Sequence, residues 1–460
     1  MGAEMGAELK VLEKVRSLLI DHPLCPRCLG RFFALLHPEL PRNETGLKLM
    51  DEAMEEAVRS NDLELLRALA RSGHAGSIEV LRERGVEVVV EQCSLCRGKI
   101  SSEKVEALVR EAAEKASGYE FSTFSIGTFV PPHIRSLEDH LISSYGLDSA
   151  ESIRRDVTRE ARRIFAQLTG KTFSPSNPEL EVLLDPFTST FEVKPAPVMI
   201  RGRYLKHSRS TPQTPWLCNV CWGRGCDACN YTGRSEGPDV SVAEYTGLPA
   251  LELWRAMDFT LHAAGREDLN AAVEGTGRPF ILELSEPAKR TVDLDEFARR
   301  VREFSGGKVE VLDLGPATRA DIRFLKAETE RKRKVYSVRV VFSAPVPFEE
   351  MMRACERLRN SVVEQRTPTR MLRRRGDRLR RRRVHDVSVV QIDERTYELS
   401  LVVDGGLYVK ELVHGDNGRT TPSLKELLGV EPENIELTVL GVVEPAWKGQ
   451  MHRGAETDSS

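Results

Sequence analysis

Eight of the nine cysteines fall into four Cys-x-x-Cys pairs: Cys25/Cys28, Cys93/Cys96, Cys218/Cys221 and Cys226/Cys229. Two thiolates two residues apart can grip one tetrahedral zinc, and two such pairs close a four-sulfur site. Four pairs imply two zincs. A site with sulfur at every position leaves no place for water or substrate, so both metals are expected to hold structure. Disulfides are disfavoured, because the N-terminal MGAEMGAELKVLEKV lacks the apolar segment of a signal peptide. Redox chemistry needs one such pair, not four. Iron–sulfur ligation uses the same residue type and stays open as an alternative. Cys355, in MMRACERL, reads as a buried helix residue.

A second chemical signal is the carboxylate of Gly265-Arg266-Glu267-Asp268. The pattern predicts a helix over Leu248–Ala264 and a strand from Pro279, which places Asp268 at the corner between them. A carboxylate there can project into a cleft while two elements hold its backbone. The bland alternative is a surface acid near a helix end. The third signal is RTPTRMLRRRGDRLRRRR, Arg366–Arg383, with ten arginines and a single acid, Asp377. So one-sided a run repels itself unless an anion lies against it, and guanidinium suits phosphate. Nucleic acid is the expected partner; a solvated basic loop is the alternative.

The elements that must position these groups span 460 residues, enough for two or three domains. With 40% hydrophobic and 30% charged residues, a net charge of −3 and no membrane-length apolar run, the composition points to a cytoplasmic globular protein, not a membrane one. The N-terminal half reads as helices in MDEAMEEAVRS and LELLRALARSG, then a β-rich run, SIEVLRERGVEVVVEQCSLC, that delivers the second cysteine pair. A helix follows from Ser101–Ser102, a strand in YEFSTFSIGTFV, and a basic amphipathic helix ending at Gly170. Two strands in SNPELEVLLDPFTSTFEVK complete this α/β unit. KPAPVMIRGRYLKHSRSTPQTPW reads as a passage between halves. The C-terminal half alternates like a sheet at 279–284, 309–314 and 335–343, and YELSLVV and LYVKELV flank a hairpin signal, Asp404-Gly405-Gly406.

RYLKHSRSTPQTPW, GREDLNAAVEGTGRPF, KVYS, RTPTRMLRRR and LYVKELVHGDNGRT, in this order, resemble the Pus-ten family of tRNA pseudouridine synthases; CPRC, CSLC and the SIGT-containing unit extend the likeness over nearly the whole chain. The resemblance implies an α+β, or mixed α/β, fold. It would pair a zinc-stapled THUMP-like RNA-binding part with a synthase domain built on a mixed, mostly antiparallel sheet flanked by helices. The expected divisions are a zinc-knuckle segment at 1–50 packing with 85–100, a THUMP-like domain at 51–190, a linker with the second cysteine loop at 191–240, a catalytic domain at 241–448 and a disordered tail at 449–460.

The resemblance also implies an isomerase acting on uridine 55, and uridine 54, of the tRNA T arm. No cofactor is expected for the chemistry, no nucleotide cofactor is implied, and a monomer suffices. Asp268 would be the nucleophile, by attack on the sugar or by assisting glycal formation, and Lys410 the cation beside it. Tyr336 would stack on the uracil and accept the C5 proton. Tyr408 would touch substrate, Arg266 position the loop, and Val409 and Leu437 surround the base. Arg370, Arg373, Arg374 and Arg375 would hold RNA phosphates. Read as a strand, YVK puts Tyr408 and Lys410 on one face and Val409 on the other. Relatives commonly continue G-R-E-D with Val-Asp-Val-Arg, whereas this chain has Leu269-Asn270-Ala271-Ala272. A non-catalytic tRNA-binding scaffold and a THUMP-containing enzyme of another class are the competing readings.

Overall fold

The computed structural model describes residues 2–235, 240–328, 333–372 and 376–442. Two units emerge, Met1–Ala196 and Pro197–Ser460.

In the first unit, helices span Gly2–Asp21, Pro26–Phe32, Arg42–Arg59, Leu63–Arg71, Ala75–Glu83, Ser102–Ala116, Pro132–Ser144 and Ile153–Thr169. Strands β1 (Thr123–Thr128), β2 (Thr172–Phe173), β3 (Leu180–Asp185) and β4 (Thr190–Pro195) form a sheet in the order β2-β1-β3-β4, with β1 parallel to β2 and β3. Helix Ile153–Thr169 follows its sequence signals closely. Ser152 caps the amide of Arg155, Gly170 ends it at φ 67°, and Val157, Ala161 and Phe165 form its buried face. The expected β-rich run before Cys93 is instead the helix Ala75–Glu83 followed by an extended stretch outside any strand. VEVVVE alternates, but a strand needs a partner edge, and this stretch instead bonds its Glu91 amide to the Arg71 carbonyl.

The second unit is built on a ten-stranded sheet. Its strands are β5 (Val198–Lys206), β6 (Asp258–Ala263), β7 (Ala271–Ser285), β8 (Val309–Pro316), β9 (Arg333–Phe342), β10 (Val362–Gln365), β11 (Arg380–Gln391), β12 (Thr396–Asp404), β13 (Thr420–Thr421) and β14 (Pro432–Val442). The order is β13-β10-β11-β12-β9-β14-β7-β5-β8, and β6 also pairs with β7. Among the described residues only β14–β7 is parallel; the other pairs of this sheet run antiparallel.

Three expectations change here. The passage expected before the second cysteine loop contains β5, whose alternating Tyr204 and Lys206 face the interior. The expected helix over Leu248–Ala264 is two elements: helix Val242–Trp254, then β6. Its start carries a capping box, Ser241 with Glu244. The helix lies so close to β6 that a Cβ on Gly247 would sit 2.2 Å from the Phe259 ring. Finally, Asp404-Gly405-Gly406 is not a hairpin between strands. The chain leaves β12 there and enters a short helix, Val409–His414.

Candidate active site

Asp268 stands on the loop between β6 and β7, about a third exposed. Arg370 donates from Nη1 to Asp268 Oδ1 at 2.6 Å and from Nε to the buried Glu411 at 2.7 Å. Lys410 Nζ is 3.8 Å from Asp268 Oδ2, too far for a hydrogen bond, and donates instead to Asn270 Oδ1. Oδ1 is thus held by a guanidinium, while Oδ2 remains the oxygen free to meet a reacting atom beside an ammonium. Burial lowers the pKa of Lys410 below its ordinary value, with Asp268 opposing. Burial also works against the charge on Arg370, but Glu411 and Asp268 outweigh it and raise that group.

The loop's backbone is clamped from beneath by buried polar groups. Arg278 donates to the carbonyl of Ala264 at 2.6 Å and Gln213 to that of Gly265 at 2.9 Å. Lys206 donates to the carbonyls of Leu269 at 3.0 Å and Thr211 at 2.8 Å. Arg209 ties Asn270 to Leu437 and Thr438 of β14. Glu267 sits among them, paired with Arg278 at 2.9 Å and accepting from the Tyr204 hydroxyl and from Gln213. The Asp268 carboxylate is therefore aimed by a rigid floor.

Not every residue named from sequence gathers here. Tyr336 is buried on β9, and its burial raises its pKa, with Arg278 opposing and Asp268 adding to the rise. It pairs in register with Val439, two residues beyond Leu437, and Leu437 lies opposite Ala271. Tyr336, Val409 and Leu437 share one apolar cluster. Tyr408 caps the short helix, its backbone bonded on both sides by the buried amide of Gln365, and the Arg380 guanidinium lies 5.7 Å from its ring centre. Because YVKEL is a helical first turn, the face conflict expected of a strand does not arise. Val409 is buried while Lys410 reaches the loop. Arg266 is exposed and makes no side-chain hydrogen bond or ion pair to a described residue. Arg370, expected among the phosphate contacts, shares its guanidinium between two carboxylates. Arg373, Arg374 and Arg375 lie outside the described residues. Asn270, the second residue of Leu269-Asn270-Ala271-Ala272, is the acceptor for Lys410, and Ala271 and Ala272 are buried where β7 meets β14.

Sequence reasoning missed the floor itself: Tyr204, Lys206, Gln213, Glu267 and Arg278. Each lies inside a motif quoted above, and Tyr204 and Lys206 share a strand face at period two. Lys334, also buried, was missed as well. It has no hydrogen bond or ion pair to a described residue and shares the inner face of β9 with Tyr336. Burial pushes both Lys206 and Lys334 down to about 8 from 10.5, with Glu267 opposing in each case. Below pH 8 both states carry these protons, and the cost of burying them is fully present. Between about 8 and 10.5 the folded chain has shed them and the unfolded chain has not, so stability should rise with pH, by on the order of 3 kcal/mol per lysine. Denaturant unfolding at pH 7, 8, 9 and 10 checks this; a flat or falling series would contradict it.

The cysteines form two four-sulfur groups, Cys25, Cys28, Cys93 and Cys96, and Cys218, Cys221, Cys226 and Cys229. A tetrahedron with metal–sulfur bonds of about 2.3 Å has sulfurs about 3.8 Å apart. The Sγ separations of 3.6 Å (Cys25–Cys96), 3.9 Å (Cys218–Cys226) and 3.8 Å (Cys221–Cys229) fit it. In the first unit Arg27 and Arg31 extend from the knuckle to buried Asp156 at 2.7 Å and Glu138 at 2.6 Å, so the group ties several helices together.

Comparison with known proteins agrees with this architecture. Residues 199–443 match the family described as Pus10, C-terminal, and 108–185 match the archaeal Pus10 THUMP domain. The protein of Thermofilum pendens named tRNA pseudouridine synthase Pus10 is 40% identical, covering 95% of this chain and 96% of that one. Its namesakes from Archaeoglobus fulgidus (41%, 78% of this chain, 97% of that one) and Methanocaldococcus jannaschii (36%, 92% and 93%) are similarly close. With two domain matches in order and relatives aligned almost end to end, the chain belongs to the Pus10 family, whose curated members are isomerases.

Proposed function

We propose that this protein converts uridine to pseudouridine in the T arm of tRNA, at position 55 and also 54, with Asp268 as nucleophile. The observation that carries the reading is the Asp268 carboxylate, fixed through Oδ1 by Arg370 and facing Lys410 through Oδ2. The reaction breaks the C1′–N1 bond, turns the base and rejoins it through C5, with C5 losing a proton and N1 gaining one. Asp268 takes up the developing positive charge at C1′, by bonding to it or by assisting glycal formation. The apolar groups Val409 and Leu437 then enclose the detached base, and the ring of Tyr336 holds it. Lys410 holds the loop through Asn270 and balances the carboxylate. Extruding the target base costs a few kcal/mol. Phosphate contacts from Arg373, Arg374 and Arg375, and from the exposed arginines on β11, offset that cost. The test is tritium release from tRNA transcript labelled at uracil C5. Wild-type protein should release tritium, and tRNA binding without release would favour a scaffold.

Both four-sulfur groups hold zinc in this reading, as structural sites with no open position. Elemental analysis should find about two zincs per chain. Cys28→Ser should leave one and lower the unfolding temperature, since the apolar core of the first unit includes Cys28, Cys93 and Cys96. One zinc in the wild type would remove a site.

A further inference from the structure

The buried polar floor carries more positive than negative charge. Lys206, Arg278 and Lys334 lie within it, and Glu267 is the buried acid that acts on all three. The nearby quartet of Arg370, Lys410, Asp268 and Glu411 is balanced by itself, two cations against two carboxylates. Lys206 uses its ammonium to hold loop carbonyls and Arg278 is paired with Glu267. Lys334 does neither. It is 7% exposed and makes no hydrogen bond or ion pair to a described residue. A buried unpaired ammonium is costly, and such a cost persists at places where a charge arrives during function.

The position of Lys334 indicates which charge. Lys334 and Tyr336 sit two residues apart on the inner face of β9, so Lys334 leaves the strand on the same face as the ring proposed to hold the base. When the C1′–N1 bond breaks heterolytically, the electron pair stays on N1 and the base departs as a uracil anion. We propose that Lys334 is a catalytic cation that stabilises this detached uracil anion until C5 rebonds to C1′. Rejoining returns the electron pair from C5 to C1′; the C5 proton is lost and N1 takes one up, so atoms and charge balance with no added reagent. The charged groups acting on Lys334 are Arg278 from β7 and Glu267 from the loop; Lys206 and Tyr204 from β5 surround the same Glu267.

This inference rests on the proposed reaction, and the test separates the two. Single-turnover conversion of tRNA transcript is measured from pH 6.5 to 10 for wild type, Lys334→Met and Lys334→Arg. Losing one preorganised electrostatic group costs about 10²–10³-fold in rate. Lys334→Met should show that loss with tRNA affinity unchanged, and Lys334→Arg should recover part of it. The wild-type rate should fall above pH of about 8 as Lys334 loses its proton, and Lys334→Met should keep only the part of that limb owed to Lys206, which loses its proton in the same range. A second readout uses tRNA carrying 5-fluorouracil, whose anion is intrinsically more stable, and base detachment there should suffer less from Lys334→Met. A wild-type rate in Lys334→Met, or a loss equal for uracil and 5-fluorouracil, overturns the role. If Lys334→Met does not fold, Lys334→Arg is read in its place, and a Lys334→Arg that keeps the full alkaline limb of the wild type overturns the role. No conversion by the wild type would instead sink the proposed reaction.

Discussion

Asp268→Asn should bind tRNA as the wild type does and release tritium at least about 10⁴-fold more slowly, the scale of losing a nucleophile. Asn keeps the shape of Asp and an oxygen to accept from Arg370, so the loop should stay in place. What disappears is the negative charge facing C1′. Arg370 makes the result sharper, because it spans Asp268 and Glu411 and remains anchored by Glu411 when Asp268 is neutralised. The variant should therefore keep wild-type unfolding behaviour and lose only turnover. Equal turnover would remove Asp268 from its role. A parallel fall in tRNA affinity and melting temperature would make it structural.

Much of this site was legible in the motifs, and the misses have physical causes. Asp268 and Lys410 were named from sequence and lie 3.8 Å apart. The helix carrying Lys410 was read as a strand because six residues are too short for periodicity to decide. Val409, Leu412 and Val413, at i, i+3 and i+4, fit a helical face and not an alternating one, and Gly415, at φ 78°, was the stop signal. β6 was absorbed into a helix because DFTLHAA follows an apolar helical stretch without a proline or glycine between them. Arg255, in the left-handed conformation, makes that break. Arg370 was grouped with its neighbours by charge, although pairing with two carboxylates depends on residues roughly 40 and 100 positions away, which spacing cannot show. The same limit hid the floor. That Lys206, Gln213, Glu267 and Arg278 meet follows from β5 and β7 pairing in register, Tyr204 opposite Arg278. The four cysteine pairs, by contrast, were fully readable, since each clip is local and only the choice of partner is not.

Glu267→Gln should be the most destabilising single change in the second unit that preserves shape. Glutamine can still accept from Tyr204 and fill the space, but Arg278, Lys206 and Lys334 are then left buried without their compensating charge. Breaking a buried pair by removing one partner costs about 3–5 kcal/mol, against about 1 kcal/mol for an ordinary hydrogen bond. At 2–4 °C per kcal/mol for a unit of this size, the melting temperature should drop by roughly 10 °C. Tyr204→Phe, which removes a neutral donor to the same carboxylate, should cost far less. The charge argument makes a stronger demand on the double variant. If Glu267 stabilises the floor by balancing cations, removing one cation should relieve its loss, so Lys334→Met should restore more stability to Glu267→Gln than it adds to the wild type. Packing alone predicts that the two effects simply add. Denaturant unfolding of the four proteins at pH 7 measures the difference, and additivity would mean that the floor is held by shape rather than by charge.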